Sequence, residues 1–428
     1  MVTVGNLPAC FFYFCLAMSM SRAETQITHG PGGRILANIG VWSPDNQWIV
    51  YDTRSDPAGD IFDGTSIAMV NVQSGEIREL YRSTNGAHCG VPIFHPREHK
   101  IAFILGPEHP TPDWRYGPSH RQGVIVPTVG RVSAPASLDA RNLTAPFTPG
   151  ALRGGSHVHV WDPSGTRISF TYEDHLLPHI RNLGVSFPKP IRVKRDHPRN
   201  HDGTHFTVLV THTTANPRPG SDEIKRAFEE GWVSSRALAF QGHVVTAKNE
   251  TIAEVFIVDL PEDLTQPGDG PLAGTETHMP CPPKGCVQRR LTFTADCKFP
   301  GIQGPRHWLR SSPDGSRIAF LMKDDADIVQ LWTISPKGGV PEQLTRNSTP
   351  IQSAFTWSPD GKRIAHIMDN SVCVTEFPTG KTHRLTPRTD DAPRPEACVF
   401  SPDGKKIAYV RRIDGANQIC VVSSTKDL

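Results

Sequence analysis

Ser312-Pro313-Asp314-Gly315, Ser358-Pro359-Asp360-Gly361 and Ser401-Pro402-Asp403-Gly404 are three copies of one tetrapeptide, spaced by 46 and 43 residues. Each is followed by Ser-Arg, Lys-Arg or Lys-Lys and then by Ile-Ala. Proline presets φ and glycine accepts a positive φ, so Pro-Asp-Gly is turn chemistry. An apolar stretch precedes each turn and another follows it, which makes each copy a β-hairpin. Looser copies stand upstream at Ser43-Pro44-Asp45-Asn46, His95-Pro96-Arg97-Glu98 and Asp162-Pro163-Ser164-Gly165.

A repeat of about 40–50 residues with four strands per copy is the signature of a β-propeller, an all-β fold. Copies end in Leu143-Thr144, Leu291-Thr292, Leu344-Thr345 and Leu385-Thr386, and Ile27-Thr28 resembles them near the N-terminus. The N-terminal segment is therefore expected to supply the outer strand of the last blade, closing the ring without a free edge. The pattern predicts seven blades in one propeller domain over 24–428. A six-bladed count stays open because the third and fourth copies are weakly patterned. The fourth blade is built from Phe206–His212, Arg236–Val245, Glu254–Leu260 and Val287–Thr292. It carries a short helical insertion from Ser221, as N-cap, to Trp232.

The chain has 428 residues and a formal net charge of +2, so nothing in its charge implies a nucleic-acid partner. It contains no Gly-x-Ser-x-Gly element, no Gly-x-Gly-x-x-Gly opening a helix and no Walker sequence, which argues against a propeller-capped serine peptidase and against nucleotide binding. Residues 8–20 form an apolar run too short to span a membrane, with Ser21-Arg22-Ala23 after it, and 1–23 reads as a signal peptide. An exported, periplasmic or secreted monomer with no transmembrane segment is expected. Of nine cysteines, Cys281, Cys286 and Cys297 share one Pro/Gly-rich loop, where a disulfide would suit an exported protein.

Propeller channels are lined by the innermost strands, and side chains alternate along a strand. Six positions before each turn proline stand Asn38, Gly90, His157, His307, Ser353 and Glu396. His88 lies eight before Pro96 and His159 four before Pro163, so all four histidines share one parity. If the strands are regular, the imidazoles converge on one channel mouth, where they could hold a cation or act as acid and base. His157-Val158-His159 is a chelating His-x-His pair in that case.

The hairpins Trp42-Ser43-Pro44-Asp45 to Trp48-Ile49-Val50, and Trp357-Ser358-Pro359-Asp360-Gly361-Lys362-Arg363-Ile364-Ala365, resemble those of TolB-type propellers. Residues 223–260, from Glu223-Ile224-Lys225-Arg226 to Asp259-Leu260, are similar to an uncharacterised bacterial family of TolB-like exported or periplasmic proteins, which brings no settled activity. The architecture also resembles two groups of seven-bladed polysaccharide lyases, the oligogalacturonate lyases and those that release rhamnose from glucuronic acid. That resemblance implies a central pocket holding a divalent cation, calcium or manganese. His157, His159 and His307 would be its ligands, with Gln303 or Gln352 as a possible amide. It implies His88 as base and acid, with Arg306 or Arg153 on the substrate carboxylate. Trp308 and Glu396 would line the sugar subsite. The expected function is a lyase cleaving uronate-containing glycans by β-elimination. The alternative is a non-catalytic binding or scaffold protein.

Overall fold

The computed structural model describes residues 24–130 and 134–424. The expected leader over 1–23 lies outside the described residues. Every regular element described is a β-strand, and the strands form short, mainly antiparallel sheets, with one two-stranded parallel pair, Ala140–Arg141 and Ala151–Leu152.

The repeat turns show why Ser-Pro-Asp-Gly recurs. Ser312 Oγ donates to Asp314 Oδ1 at 2.5 Å, and the same bond recurs at Ser358–Asp360 (2.5 Å) and Ser401–Asp403 (2.6 Å). The Gly315 amide closes the turn on Ser312 O at 2.9 Å, and the Arg317 amide returns to Ser312 Oγ at 3.1 Å. Gly315, Gly361 and Gly404 have φ of 71°, 70° and 71°, a region that disfavours any side chain. The whole device closes within six residues, Ser312 to Arg317, so it forms without help from distant chain.

Three sheets have four strands each. One comprises Cys89–Phe94, Lys100–Leu105, Gln122–Pro127 and Ala136–Ser137. The second comprises Arg310–Ser311, Ile318–Lys323, Val329–Ile334 and Glu342–Gln343, and the third Thr356–Trp357, Arg363–Met368, Ser371–Glu376 and Thr382–Arg384. Two further sheets have eight strands. In each, two antiparallel runs of four are joined by one parallel residue pair, Arg181↔Arg226 in one and Gly33↔Asn417 in the other. The second of these contains the closure expected from the sequence: Thr25–Gln26 pairs with the C-terminal strand Ala416–Ser423, with Thr25 opposite Val421.

Sheets pack face to face, so central strands are apolar on both sides. Val50, Ile67 and Met69 from one sheet share a core with Phe94, Ile101 and Phe103 from the next. Ile318–Met322 is buried at every position for the same reason.

Two expectations about the fourth repeat are corrected. The stretch read as a helix from Ser221 is the strand Ile224–Ser234, paired with Ala237–Val245. Its register shifts between Ile224 and Ala227 and again between Phe228 and Gly231, with Glu229 at φ 53°. Those bulges replace two-residue alternation with a three- and four-residue spacing of buried groups, which imitates a helix. Phe206–His212 does not open this repeat either: the strand Gly203–Leu209 pairs with Arg181–Ile191, in the run before it. The seven described cysteines are all unbonded, so Cys281, Cys286 and Cys297 form no disulfide.

Candidate functional site

At the channel end away from the repeat turns lies a polar cavity of about 330 Å³. Of the six positions aligned on the turn prolines, Asn38, His157 and Glu396 line it, joined by Arg306 and Trp308. Arg54, Asp60, Phe62 and Arg394 complete the charged and aromatic lining.

Arginines dominate the wall. Arg306 Nε pairs with Glu229 Oε1 at 2.8 Å, its guanidinium lies 4.6 Å over the Trp308 ring, and its side chain remains 58% exposed. Arg394 bonds Glu396 at 2.7 Å and Asp60 at 3.0 Å. Arg54 bonds Asp52 at 2.8 Å and stacks 4.4 Å over Phe62. Each guanidinium is thus held by a carboxylate and supported by an aromatic face or a second acid, a rigid arrangement suited to planar anions.

His157 lies among them, partly exposed. The Thr171 hydroxyl donates to His157 O at 3.2 Å, so its oxygen is free to accept from His157 Nδ1 at 3.3 Å. That tautomer leaves the lone pair on Nε2. Burial holds the His157 imidazole well below its usual pKa, and Arg121, Arg181 and Arg306 push it further down. The ring is a neutral, unprotonated base at pH 7.

The other predicted histidines are elsewhere. His159 does not share a face with His157, because a bulge between His157 and Val160, with Val158 at φ 59°, breaks the alternation. His159 turns into the sheet, with Nε2 2.9 Å from Ser156 Oγ and against the backbone of Gly123, where a Cβ would come within 2.5 Å of it. Its pKa falls to about 3 through burial. His307 is buried with both ring nitrogens engaged: Nδ1 donates to Pro305 O at 2.9 Å, and Nε2 accepts the Leu321 amide at 3.1 Å. The inner strand here is two residues long, and the His307 ring takes the place of a missing ladder acceptor, as the Ser353 hydroxyl does for Ile367 (2.8 Å). His88 does not line the cavity. Tyr116, stacked on the cavity-lining Phe62 at 4.8 Å, stands edge-on to it at 6.1 Å. Arg153 is corrected too: 1% exposed, it donates to Asp174 at 2.7 Å, to His278 O at 2.8 Å and to Thr275 O, which leaves no free edge for a substrate.

These positions also test the cation implied by the lyase resemblance. His157, His159 and His307 do not converge, and both nitrogens of His307 are consumed by backbone, so this trio does not fit a calcium or manganese ion. Among the described residues no other group of three His, Cys, Asp or Glu side chains is placed to hold a metal.

Sequence reasoning missed Arg54 and Arg394. Arg394 had a signal, being two residues before Glu396 and so on the same strand face. Arg54 had none, because it ends Trp48–Arg54, the second strand of its antiparallel run of four, rather than an inner one.

Comparison with known proteins places this site in context. A family described as "Protein of unknown function (DUF3748)" matches residues 88–201, the part that includes His157. Among solved structures, an oligogalacturonate lyase in complex with manganese superposes with a TM-score of 0.58 at 12% identity, covering 96% of this chain and 95% of that one. An oligogalacturonate lyase from Vibrio parahaemolyticus gives 0.55 at 9% identity, also over 96% and 95%. At such identities the likeness is one of fold, a propeller-type all-β architecture. The uncharacterized protein YidR of Escherichia coli (strain K12) is 49% identical over 389 residues, 88% of this chain and 92% of that one. On that identity and coverage, the chain belongs to the same family as YidR.

Proposed function

We propose that this chain is an exported carbohydrate-active lyase that cleaves uronate-containing glycans by β-elimination in the polar cavity. The observation that carries the reading is one neutral imidazole, His157, facing a cavity walled by Arg54, Arg306 and Arg394. The fold reading beneath it is a seven-bladed propeller, supported by the antiparallel runs of four into which the sheets divide. Export rests on the apolar leader.

The chemistry asks for two things. The C5 proton of a uronic acid is weakly acidic until the charge of the neighbouring carboxylate is offset, and a guanidinium on that carboxylate stabilises the enolate-like intermediate. Arg306 is the most exposed of the three arginines and serves this role. A base must then take the C5 proton, and His157 Nε2 has the lone pair to do so. The imidazolium formed returns the proton to the departing glycosidic oxygen, leaving a C4–C5 double bond. Trp308 offers a face for the sugar, although Arg306 already covers part of it. His157 thus replaces His88 as the proposed base, and no step is routed through a metal.

The experiment is ultraviolet absorbance of the unsaturated uronate product over a panel of uronate glycans, with wild-type protein and His157→Ala. Product formed by wild type and lost in the variant supports the reading; no product on any uronate overturns it. One observation favours the rival, a non-catalytic binding protein: every cavity arginine already has a carboxylate partner, as in a surface built for a charged protein segment.

A further inference from the structure

The opposite end of the channel has a different chemistry. The prolines of six repeat turns form its rim, and all but Pro44 are exposed. Below them lies a cavity of about 380 Å³ walled by Trp42, Phe94, Trp161, Trp232, Trp357 and Phe400. Three of the indoles are fixed by hydrogen bonds to carbonyls in other repeats: Trp42 to Val399 O at 3.0 Å, Trp232 to Val160 O at 2.9 Å and Trp357 to Arg310 O at 3.0 Å. The walls are therefore rigid apolar plates, and ligand binding would cost little side-chain entropy.

Arg310 is the one arginine or lysine lining this mainly apolar space; of the other titratable residues there, His95 and Asp162, the Asp162 carboxylate is taken up by the turn amides of Ser164, Thr166 and Arg167. Arg310 is 5% exposed, and its Nε is buried with no hydrogen-bond partner. Nη2 donates to Asn38 Oδ1, a neutral acceptor, and no carboxylate among the described residues lies within ion-pair distance. Two acids act on Arg310 electrostatically, Glu230 and Glu229, and Glu229 is already held by Arg306. Glu230 is buried and its pKa is pushed up to about 7, so it offers Arg310 at most a partial charge near neutrality. Nη1 donates to Leu309 O at 3.4 Å, so Nε is the guanidinium nitrogen left without a partner, and a buried unpaired donor on a cation is costly unless something completes it.

We propose that this end of the channel is a second binding site, for a small molecule with a flat apolar body and a single carboxylate, seated with the carboxylate on Arg310 and the body between the aromatic walls. The lining sets each part of that description. Tryptophan and phenylalanine faces favour a flat apolar body, the volume suits one small molecule, and the lone guanidinium selects an anion. The site is distinct from the polar cavity and does not depend on the lyase reading.

The test uses the full chain and intrinsic tryptophan fluorescence, titrated with 1-naphthaleneacetate and with its neutral amide, 1-naphthaleneacetamide. The acid is expected to quench emission saturably, and the amide to bind about tenfold more weakly or worse, since it lacks the charge that pairs with Arg310. Arg310→Gln should remove that preference while keeping the near-ultraviolet circular dichroism of wild type, and Arg192→Gln, an exposed arginine that lines neither cavity, should leave it intact. The proposal is overturned if the acid does not saturate, if acid and amide bind alike, if folded Arg310→Gln still prefers the acid, or if Arg192→Gln abolishes binding. Should Arg310→Gln fail to fold, the acid–amide comparison on wild type decides.

Discussion

Asn38 and Arg310 are hydrogen-bonded to each other although 272 positions apart in the chain. Arg310 opens the strand Arg310–Ser311, Asn38 follows the strand Gly33–Ile35 of a different sheet, and each faces a different cavity, Asn38 the arginine-rich one and Arg310 the tryptophan-lined one. Their bond runs between the two, so one channel presents two unlike chemistries at its ends. Proton transfer and carboxylate binding are possible at the first, and apolar burial with a single charge at the second.

His157→Ala is expected to lower the rate of uronate elimination by about 10²-fold or more, the usual worth of a general base. His88→Ala should leave it near wild type, since Tyr116 and Phe62 stand between His88 and the cavity. The two variants assayed side by side on one uronate oligosaccharide separate the two assignments.

The pH dependence follows from the same ring. Burial and three arginines lower the His157 pKa well below its usual 6.5, so the active base form persists at neutral pH and is lost only well below that value. Removing one arginine lets the pKa rise. Arg306→Gln should therefore move the acid limb of kcat towards higher pH, besides weakening substrate binding, and a pH–rate profile of the two proteins measures the shift.

Stability should fall as the medium is acidified. His159 and His201 are pushed down to about 3, and His205, His307 and His366 to about 4, all chiefly by burial. The unfolded chain takes up protons on these rings below pH 6.5, while the folded chain does so only near pH 3–4, so unfolding becomes easier across that window. Glu230 runs the other way: its carboxyl, raised to about 7, stabilises the fold at low pH and loses that contribution as pH rises through 7. Thermal unfolding against pH, with Glu230→Gln for comparison, should show a steeper acid loss in the variant.

Arg153→Met is expected to destabilise the chain by about 3–5 kcal/mol, because it strands the buried carboxylate of Asp174. Denaturant unfolding measures the loss. A variant that folds normally and only raises KM for a uronate would return Arg153 to the substrate site.

Much of the fold was legible in the sequence because its determinants are local. The Ser-Pro-Asp-Gly turns close on themselves, and the Ile-Ala that follows each begins a doubly buried strand. The fourth repeat was less legible. Bulges at Ala227 and Gly231 disguised a strand as a helix, and it has no turn tetrapeptide to mark it. In the site, Asn38, His157 and Glu396 were visible because offsets from the turn proline carried across repeats, whereas Arg306 and Trp308, seven and five positions before Pro313, came only from the lyase resemblance. His159 and His307 were misplaced because each obeys a hydrogen bond rather than an alternation.

By itself the sequence determined that the chain is a ring of β-hairpins closed by its own N-terminal strand, since turn chemistry and strand patterning act over a few residues. Which histidine faces the cavity was decided only in the tertiary structure. One bulge at Val158 turns His159 inward and leaves His157 facing the arginines, and those arginines arrive from Arg54, Arg306 and Arg394, at distances along the chain that no local pattern encodes.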